Sequence, residues 1–139
     1  KAGAAQTIHS GQNNLHAALA ALTDRRGPDV AIEAIGLPET FRAAVEEVAF
    51  TGRVVYIGYA KELVSYETKL FVQKELDLRG SRNALPEDFR DVIQMLEAGR
   101  FPVEDTVTHV VPMEEAPNIL ESWSKEPAQF TKIMVEVSR

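Results

Sequence analysis

Side chains that bind metals or act as nucleophiles are sparse in this sequence. Its 139 residues include no cysteine and three histidines, which excludes disulfides, thiolate zinc sites and a cysteine nucleophile. His9, His16 and His109 lie far apart, and none has a second histidine or a carboxylate at the spacing of metal ligands. We therefore predict no metal site and no catalytic residue within the chain, and we expect solvated or hydrogen-bonded histidines.

Glycines at the ends of two apolar strands give a stronger chemical signal. The strand predicted over 30–35 ends at Gly36, and the strand predicted over 53–57 ends at Gly58. A doubly wound sheet binds its ligand beyond the carboxyl ends of its strands, and a glycine there lets a flat ligand approach the backbone. A tight turn after each strand explains the same glycines, so both interpretations stay open. The sequence has no Gly-x-Gly-x-x-Gly motif and no Walker A loop, so it predicts no phosphate cradle.

Glu33 is the only charged residue within the first of these strands. An unpaired buried carboxylate is costly, so Glu33 must have a partner or reach the end of the sheet. We expect a structural hydrogen bond to a neighbouring group, with a role in a binding site as the alternative. Other neighbouring acidic residues fall on helix faces that we predict to be solvated: Glu46 and Glu47, Glu87 and Asp88, Glu114 and Glu115.

The elements that must position these residues alternate between helical and strand periodicity, which is typical of an α/β protein. Helices are predicted over 15–22, 38–48, 70–74, 86–96 and 113–123, and strands over 30–35, 53–57, 76–80, 107–111 and 133–137. Residues 5–9 are a possible further strand with weak support. The charges at 77 and 79 indicate an edge strand from Leu76 to Gly80. Strand ends in Ile-Gly exclude a response-regulator site, whereas the missing early glycine-rich loop only weakens a methyltransferase-like interpretation.

Composition narrows the class of protein further. The net charge of −6 and the pI near 5.1 lack the clustered basic residues that bind nucleic acid. No apolar stretch approaches about 18 residues, and the first residues do not resemble a signal peptide. We therefore expect a cytoplasmic protein that binds neither nucleic acid nor membranes.

Four blocks in this order and at these intervals resemble one enzyme family. They are residues 27–36, 52–58, 74–83 and 108–116, and together they are similar to the latter part of the zinc-type medium-chain alcohol and polyol dehydrogenases. The Gly80-Ser81-Arg82-Asn83 stretch is most similar to the sorbitol, threonine and galactonate-type dehydrogenase branch. The resemblance covers almost the whole chain.

The resemblance implies a partial, Rossmann-like doubly wound parallel sheet that lacks its first strands. Residues 1–100 would be the distal part of the nucleotide-binding domain, since residues 1–5 resemble the stretch after the second Rossmann strand. Residues 101–139 would be a strand-helix-strand segment that returns to a GroES-like catalytic domain. In such relatives that N-terminal domain carries the catalytic zinc, so the last two strands of this chain would have lost their partners.

The resemblance also implies roles for individual residues in binding NAD or NADP. Ala34, Ile35, Gly36 and Leu37 match the strand end that passes the adenosine side of the cofactor. Ile57, Gly58 and Tyr59 match a segment that meets the nicotinamide carboxamide, and Ser81, Arg82 and Asn83 match a second such segment. Arg82 could also reach the cofactor phosphates or ribose, and Lys132 matches a basic position near the cofactor.

The function implied is that of a cofactor-binding part of a larger enzyme. The parent would transfer hydride between a polyol or sugar acid and NAD(P), with zinc only in the missing N-terminal domain. Alone, the chain would show no dehydrogenase activity and weak cofactor affinity at best. Relatives dimerise through the edge that matches Leu76 to Gly80, so we expect a homo-oligomer. The alternative is a non-catalytic α/β module that associates through exposed strand edges.

Overall fold

A computed structural model describes residues 3–137 of the protein. These residues form two compact units, one of residues 5–83 and one of residues 84–137 with residues 3 and 4. The mixed α/β class expected from the sequence is confirmed. Residues 1 and 2, part of the stretch compared above with the residues after a second Rossmann strand, lie outside the described residues.

The first unit is a three-stranded parallel sheet with its helices. It consists of α1 (Leu15–Leu22), β1 (Val30–Glu33), α2 (Pro38–Glu47), β2 (Arg53–Tyr56), α3 (Lys69–Gln73) and β3 (Asp77–Gly80). The strand order is β1-β2-β3, with Glu33 beside Tyr56 and Tyr56 beside Gly80. All three strands run in the same direction, so their carboxyl ends lie at one edge of the sheet.

Apolar residues of α2 and the turn after it cover the middle of this sheet. Val45, Val48, Ala49 and Val54 form the buried core of this unit. Pro38 begins α2 at a position that needs no backbone N–H. The far end of α2 is held by Lys74, whose Nζ donates to the carbonyl oxygens of Glu46 at 2.6 Å and Val48 at 2.8 Å. A cation at this end also complements the helix dipole.

The second unit contains two parallel strands and three helices. Its elements are α4 (Pro86–Glu97), α5 (Val103–Thr106), β4 (Val107–Pro112), α6 (Ala116–Lys125) and β5 (Lys132–Glu136), with single 3₁₀ turns at Met113–Glu115 and Pro127–Gln129. β4 and β5 pair with each other, with Val111 beside Val135. Both α4 and α6 are amphipathic, but neither buries a residue within the described structure.

Several sequence expectations need correction. Residues 5–9 form no strand, and the carbonyl of His9 instead accepts a turn hydrogen bond from the N–H of Gln12. β1 ends at Glu33 rather than at Ile35, because the Glu33 side chain bonds the next backbone amides and turns the chain. The short helix α5 was not predicted. The last two strands pair with each other.

Among residues 3–137, no helix has the length and apolar character required to cross a bilayer.

Candidate functional site

Glu33 is the best-buried polar side chain at the carboxyl edge of the first sheet. Its side chain is 3% exposed. Oε1 accepts three hydrogen bonds, from the N–H of Ile35 at 2.9 Å, the N–H of Gly36 at 2.8 Å and Oγ1 of Thr40 at 2.7 Å. Burial raises the pKa of this carboxyl, but these three donors outweigh burial and hold the pKa below its usual value. The expected structural hydrogen bond is therefore present, and the carboxylate is the favoured form.

Gly36 and Gly58 bring two strand-end segments into backbone contact. Gly36 has φ of +89°, and a Cβ atom there would lie 2.6 Å from the carbonyl oxygen of Tyr59. A Cβ atom on Gly58 would lie 2.6 Å from the nitrogen of Gly36 and would also collide with Oε2 of Glu33. Side chains at either position would push the segments apart. The tight packing of residues 34–37 on residues 57–59 thus explains why both positions are glycine.

The segment after β3 joins this pair. The N–H of Ser81 donates to the carbonyl oxygen of Tyr56 at 2.9 Å. The next residue, Arg82, places its guanidinium 5.4 Å from the centre of the Tyr59 ring, within range of a cation–π contact. Asn83 follows with φ of +63°, which is tolerated better by asparagine than by most residues.

The structure therefore gathers most of the predicted cofactor-binding residues at one edge of the first unit. Ala34, Ile35, Gly36, Leu37, Ile57, Gly58, Tyr59, Ser81, Arg82 and Asn83 all follow the carboxyl ends of β1, β2 and β3. Several apolar members are open to solvent, with Ile35 71% and Tyr59 66% exposed. Lys132 is the first residue of β5, in the second unit. The edge thus combines exposed apolar surface with a guanidinium and backbone groups.

Two residues of this edge were missed by sequence reasoning. Thr40, in the first turn of α2, donates to Glu33 and so connects the helix to the strand end. Tyr56 is the register partner of Glu33, and its ring stacks on Phe41 with centroids 4.7 Å apart. Burial, followed by the neighbouring Tyr66 and Glu33, raises the pKa of the Tyr56 hydroxyl well above its usual value. For Thr40, the only available signal in the sequence was a hydroxyl residue seven positions after the strand carboxylate Glu33.

The part of the chain that the structure describes holds no group of three His, Cys, Asp or Glu side chains able to bind a metal. His16 Nδ1 lies 2.9 Å from Oε2 of Glu47, and His109 stacks on Phe130 with ring centroids 4.5 Å apart. Glu47 was predicted to be solvated, but its side chain is only 16% exposed. On α2 it instead pairs with His16 of α1. Zinc does not fit the described residues.

Known proteins resemble this chain along most of its length. The family model described as zinc-binding dehydrogenase matches residues 1–98. An uncharacterized zinc-type alcohol dehydrogenase-like protein of Haemophilus influenzae is 28% identical over 112 residues, which cover 81% of this chain and 32% of that protein. The L-galactonate-5-dehydrogenase of Escherichia coli K12 is 32% identical over 81 residues, covering 58% of this chain and 24% of that enzyme.

A solved structure supports the same relationship. The alcohol dehydrogenase of Thermus sp. ATN1 superposes with a TM-score of 0.83 at 27% identity, covering 94% of this chain and 38% of that one. The chain spans about a third of the length of the first curated relatives that it matches.

Proposed function

The chain belongs to the zinc-binding dehydrogenase family, and we propose that the carboxyl edge of β1-β2-β3 forms one side of a nicotinamide-cofactor site in a larger alcohol dehydrogenase. The observation that carries this proposal is the convergence of residues 34–37, 57–59 and 81–83 at that edge. These segments come from three different parts of the sequence, yet backbone contacts and the Arg82–Tyr59 pair hold them together. Ligands of doubly wound sheets bind at such an edge.

The residues at this edge suit a flat, partly polar ligand. Exposed apolar side chains such as Ile35 and Ile57 offer surface for the apolar faces of a dinucleotide. Residues 34–37 would pass the adenosine side, and residues 57–59 and 81–83 would meet the carboxamide with their backbone groups. The Arg82 guanidinium supplies several fixed donors for the ribose or phosphates. NAD or NADP, when bound, would supply the hydride acceptor.

The substrate and the remaining partners belong to the proposal as well. We propose a secondary alcohol of a polyol or sugar acid as the substrate, supported by the similarity to the L-galactonate-5-dehydrogenase. The metal chemistry would reside in residues outside this chain, because the described residues do not fit zinc. Residues 101–139 would be the segment that returns to that catalytic domain. β3 is at an edge of its sheet, which supports a homo-oligomer formed by strand pairing there.

Titration of the ¹⁵N-labelled 139-residue chain with NADH tests the cofactor proposal. We expect amide shifts confined to residues 34–37, 57–59 and 81–83, with a Kd of about 1 mM, corresponding to about 4 kcal/mol. Arg82→Gln should weaken this binding several-fold, whereas Arg90→Gln, an exposed arginine of α4, should leave it unchanged. Absent shifts, or shifts spread over both units, would contradict the proposal.

A further inference from the structure

Glu33 makes bonds with both its side chain and its backbone, and these bonds reach different segments of the edge. The side chain accepts hydrogen bonds from the amides of Ile35 and Gly36 in the loop after β1. The carbonyl oxygen of the same residue accepts from the N–H of Ile57 at 2.8 Å and of Gly58 at 3.1 Å, after β2. One residue therefore fixes the backbone of two of the three proposed cofactor segments.

The second carboxylate oxygen lies where these two segments meet. Oε2 of Glu33 is buried and has no hydrogen-bond partner among residues 3–137. It occupies the space into which a Cβ atom on Gly58 would project, and that same Cβ atom would crowd Gly36. Glu33, Gly36 and Gly58 thus form a close three-way contact in which the carboxylate fills the volume that the glycines leave.

Burying this carboxylate costs free energy, so it is expected only where the carboxylate maintains a specific geometry. A carboxylate with one unpartnered buried oxygen loses hydration that is not fully replaced. A Val or Ile at position 33 would suit a buried strand without that cost. Neither side chain could accept hydrogen bonds from the amides of Ile35 and Gly36. The carboxylate is therefore explained by the loop geometry that it imposes rather than by the stability of the strand.

We propose that Glu33 is a positioning residue of the cofactor edge: its carboxylate and carbonyl together hold residues 34–37 and 57–58 in the one arrangement that presents their backbone to the dinucleotide. Glu33 itself does not touch the ligand, since it is covered by these segments. The inference rests on the proposed function, because it assigns a purpose to the edge that the cofactor would occupy. Thr40 assists through its bond to Oε1.

Amide hydrogen exchange and NADH titration on the 139-residue chain test this inference together. In Glu33→Gln, we expect exchange at Ile35 and Gly36 to accelerate about tenfold, since the neutral amide oxygen that replaces the carboxylate accepts hydrogen bonds more weakly. Exchange at Val54, in the core, should change much less. NADH affinity should fall by a similar factor. Glu39→Gln, an exposed carboxylate on the first turn of α2, is the matched control and should resemble the wild type in both measurements.

Thr40→Val provides a second, milder variant in case Glu33→Gln does not fold. It removes the bond to Oε1 together with the contacts of the same hydroxyl to the backbone of Leu37, and it keeps the carboxylate. We therefore expect a smaller change of the same sign at Ile35 and Gly36 and in NADH affinity. Unchanged exchange in Glu33→Gln would overturn the inference, as would accelerated exchange with unchanged NADH affinity. An absence of NADH shifts in the wild-type chain would instead remove the proposed function, and exchange alone would then decide whether Glu33 fixes the two segments.

Discussion

Residues 5–83 bury four apolar side chains, Val45, Val48, Ala49 and Val54, whereas Val111 is the one buried apolar side chain among residues 84–137. The first unit has three paired strands with α2 packed on them. The second has two paired strands, and the apolar stripe of α4 remains open to solvent, with Phe89 63% exposed. The unit in which a helix packs on three strands is thus the better enclosed of the two.

Even the first unit is enclosed on one face only. Successive residues of a strand point to opposite faces of a sheet, and in β1 the α2 face receives Glu33, which bonds Thr40 on that helix. Val30 and Ile32 alternate with it and are about half exposed or more. The contrast between the units is therefore one of degree. A single well-packed helix–sheet layer is sufficient to order the strand ends that form the candidate site.

The largest effect should come from removing the same methyl groups from each core. Val54 is 0% exposed and Val111 is 8% exposed. We expect Val54→Ala to lower the free energy of unfolding of the first unit by about 2 kcal/mol, from lost burial and a residual cavity. Val111→Ala should cost the second unit about 1 kcal/mol or less, since this side chain is less completely buried. Amide hydrogen exchange, followed separately in β2 and β4, measures both. Equal losses of unfolding free energy in the two units would show that their cores are equally well packed.

A second test concerns the end of α2, on which the first core depends. Lys74 donates to the carbonyls of Val45, Glu46 and Val48. Lys74→Met should destabilise the first unit by about 1–2 kcal/mol, because it leaves these carbonyls without their cationic donor. Lys69→Met removes an exposed ion pair with Glu67 and should cost less than about 0.5 kcal/mol. Chemical denaturation monitored in the first unit distinguishes them. A similar cost for both would show that the helix end needs no such donor.

The alternation of strand and helix could be predicted because each element carries its own period. Local sequence alone identifies a strand from the apolar run at Val30, a turn at Gly36 and a helix beginning at Pro38. The bounds were less predictable. β1 ends two residues earlier than its apolar run, because the Glu33 side chain bonds the amides of Ile35 and Gly36 and so competes with continued pairing.

The site could be predicted by position but not by its internal contacts. Resemblance to a family indicated which strand ends matter, and the parallel register then brings them to one edge. Three contacts depend on how α2 and the loops pack: Thr40 with Glu33, Phe41 with Tyr56, and Gly36 with Tyr59. Sequence periodicity carries no information on those contacts, because it fixes the face on which a residue lies and not its neighbour.

The smallest effect should come from the charges on the open edge of the first sheet. Asp77 on β3 accepts hydrogen bonds from Arg79 and Arg53, and these donors hold the pKa of its carboxyl below the usual value. A carboxylate with a lowered folded-state pKa stabilises the fold above its unfolded-state value, near about 3.9, and loses that contribution as the pH falls through the folded-state pKa. Asp77→Asn should therefore reduce stability slightly at neutral pH and not at all well below pH 4. Because the group is exposed, added salt should shrink the difference.

Thermal unfolding of wild type and Asp77→Asn between about pH 3 and pH 7, at low and high salt, measures this difference. Asp91→Asn, an exposed aspartate of α4, provides the control in the second unit. A loss as large as that of Val54→Ala would mean that edge charges, rather than the enclosed layer under α2, stabilise the first unit. A small, salt-sensitive difference would instead leave the buried layer as the reason that this half of the chain can hold its strand ends in place.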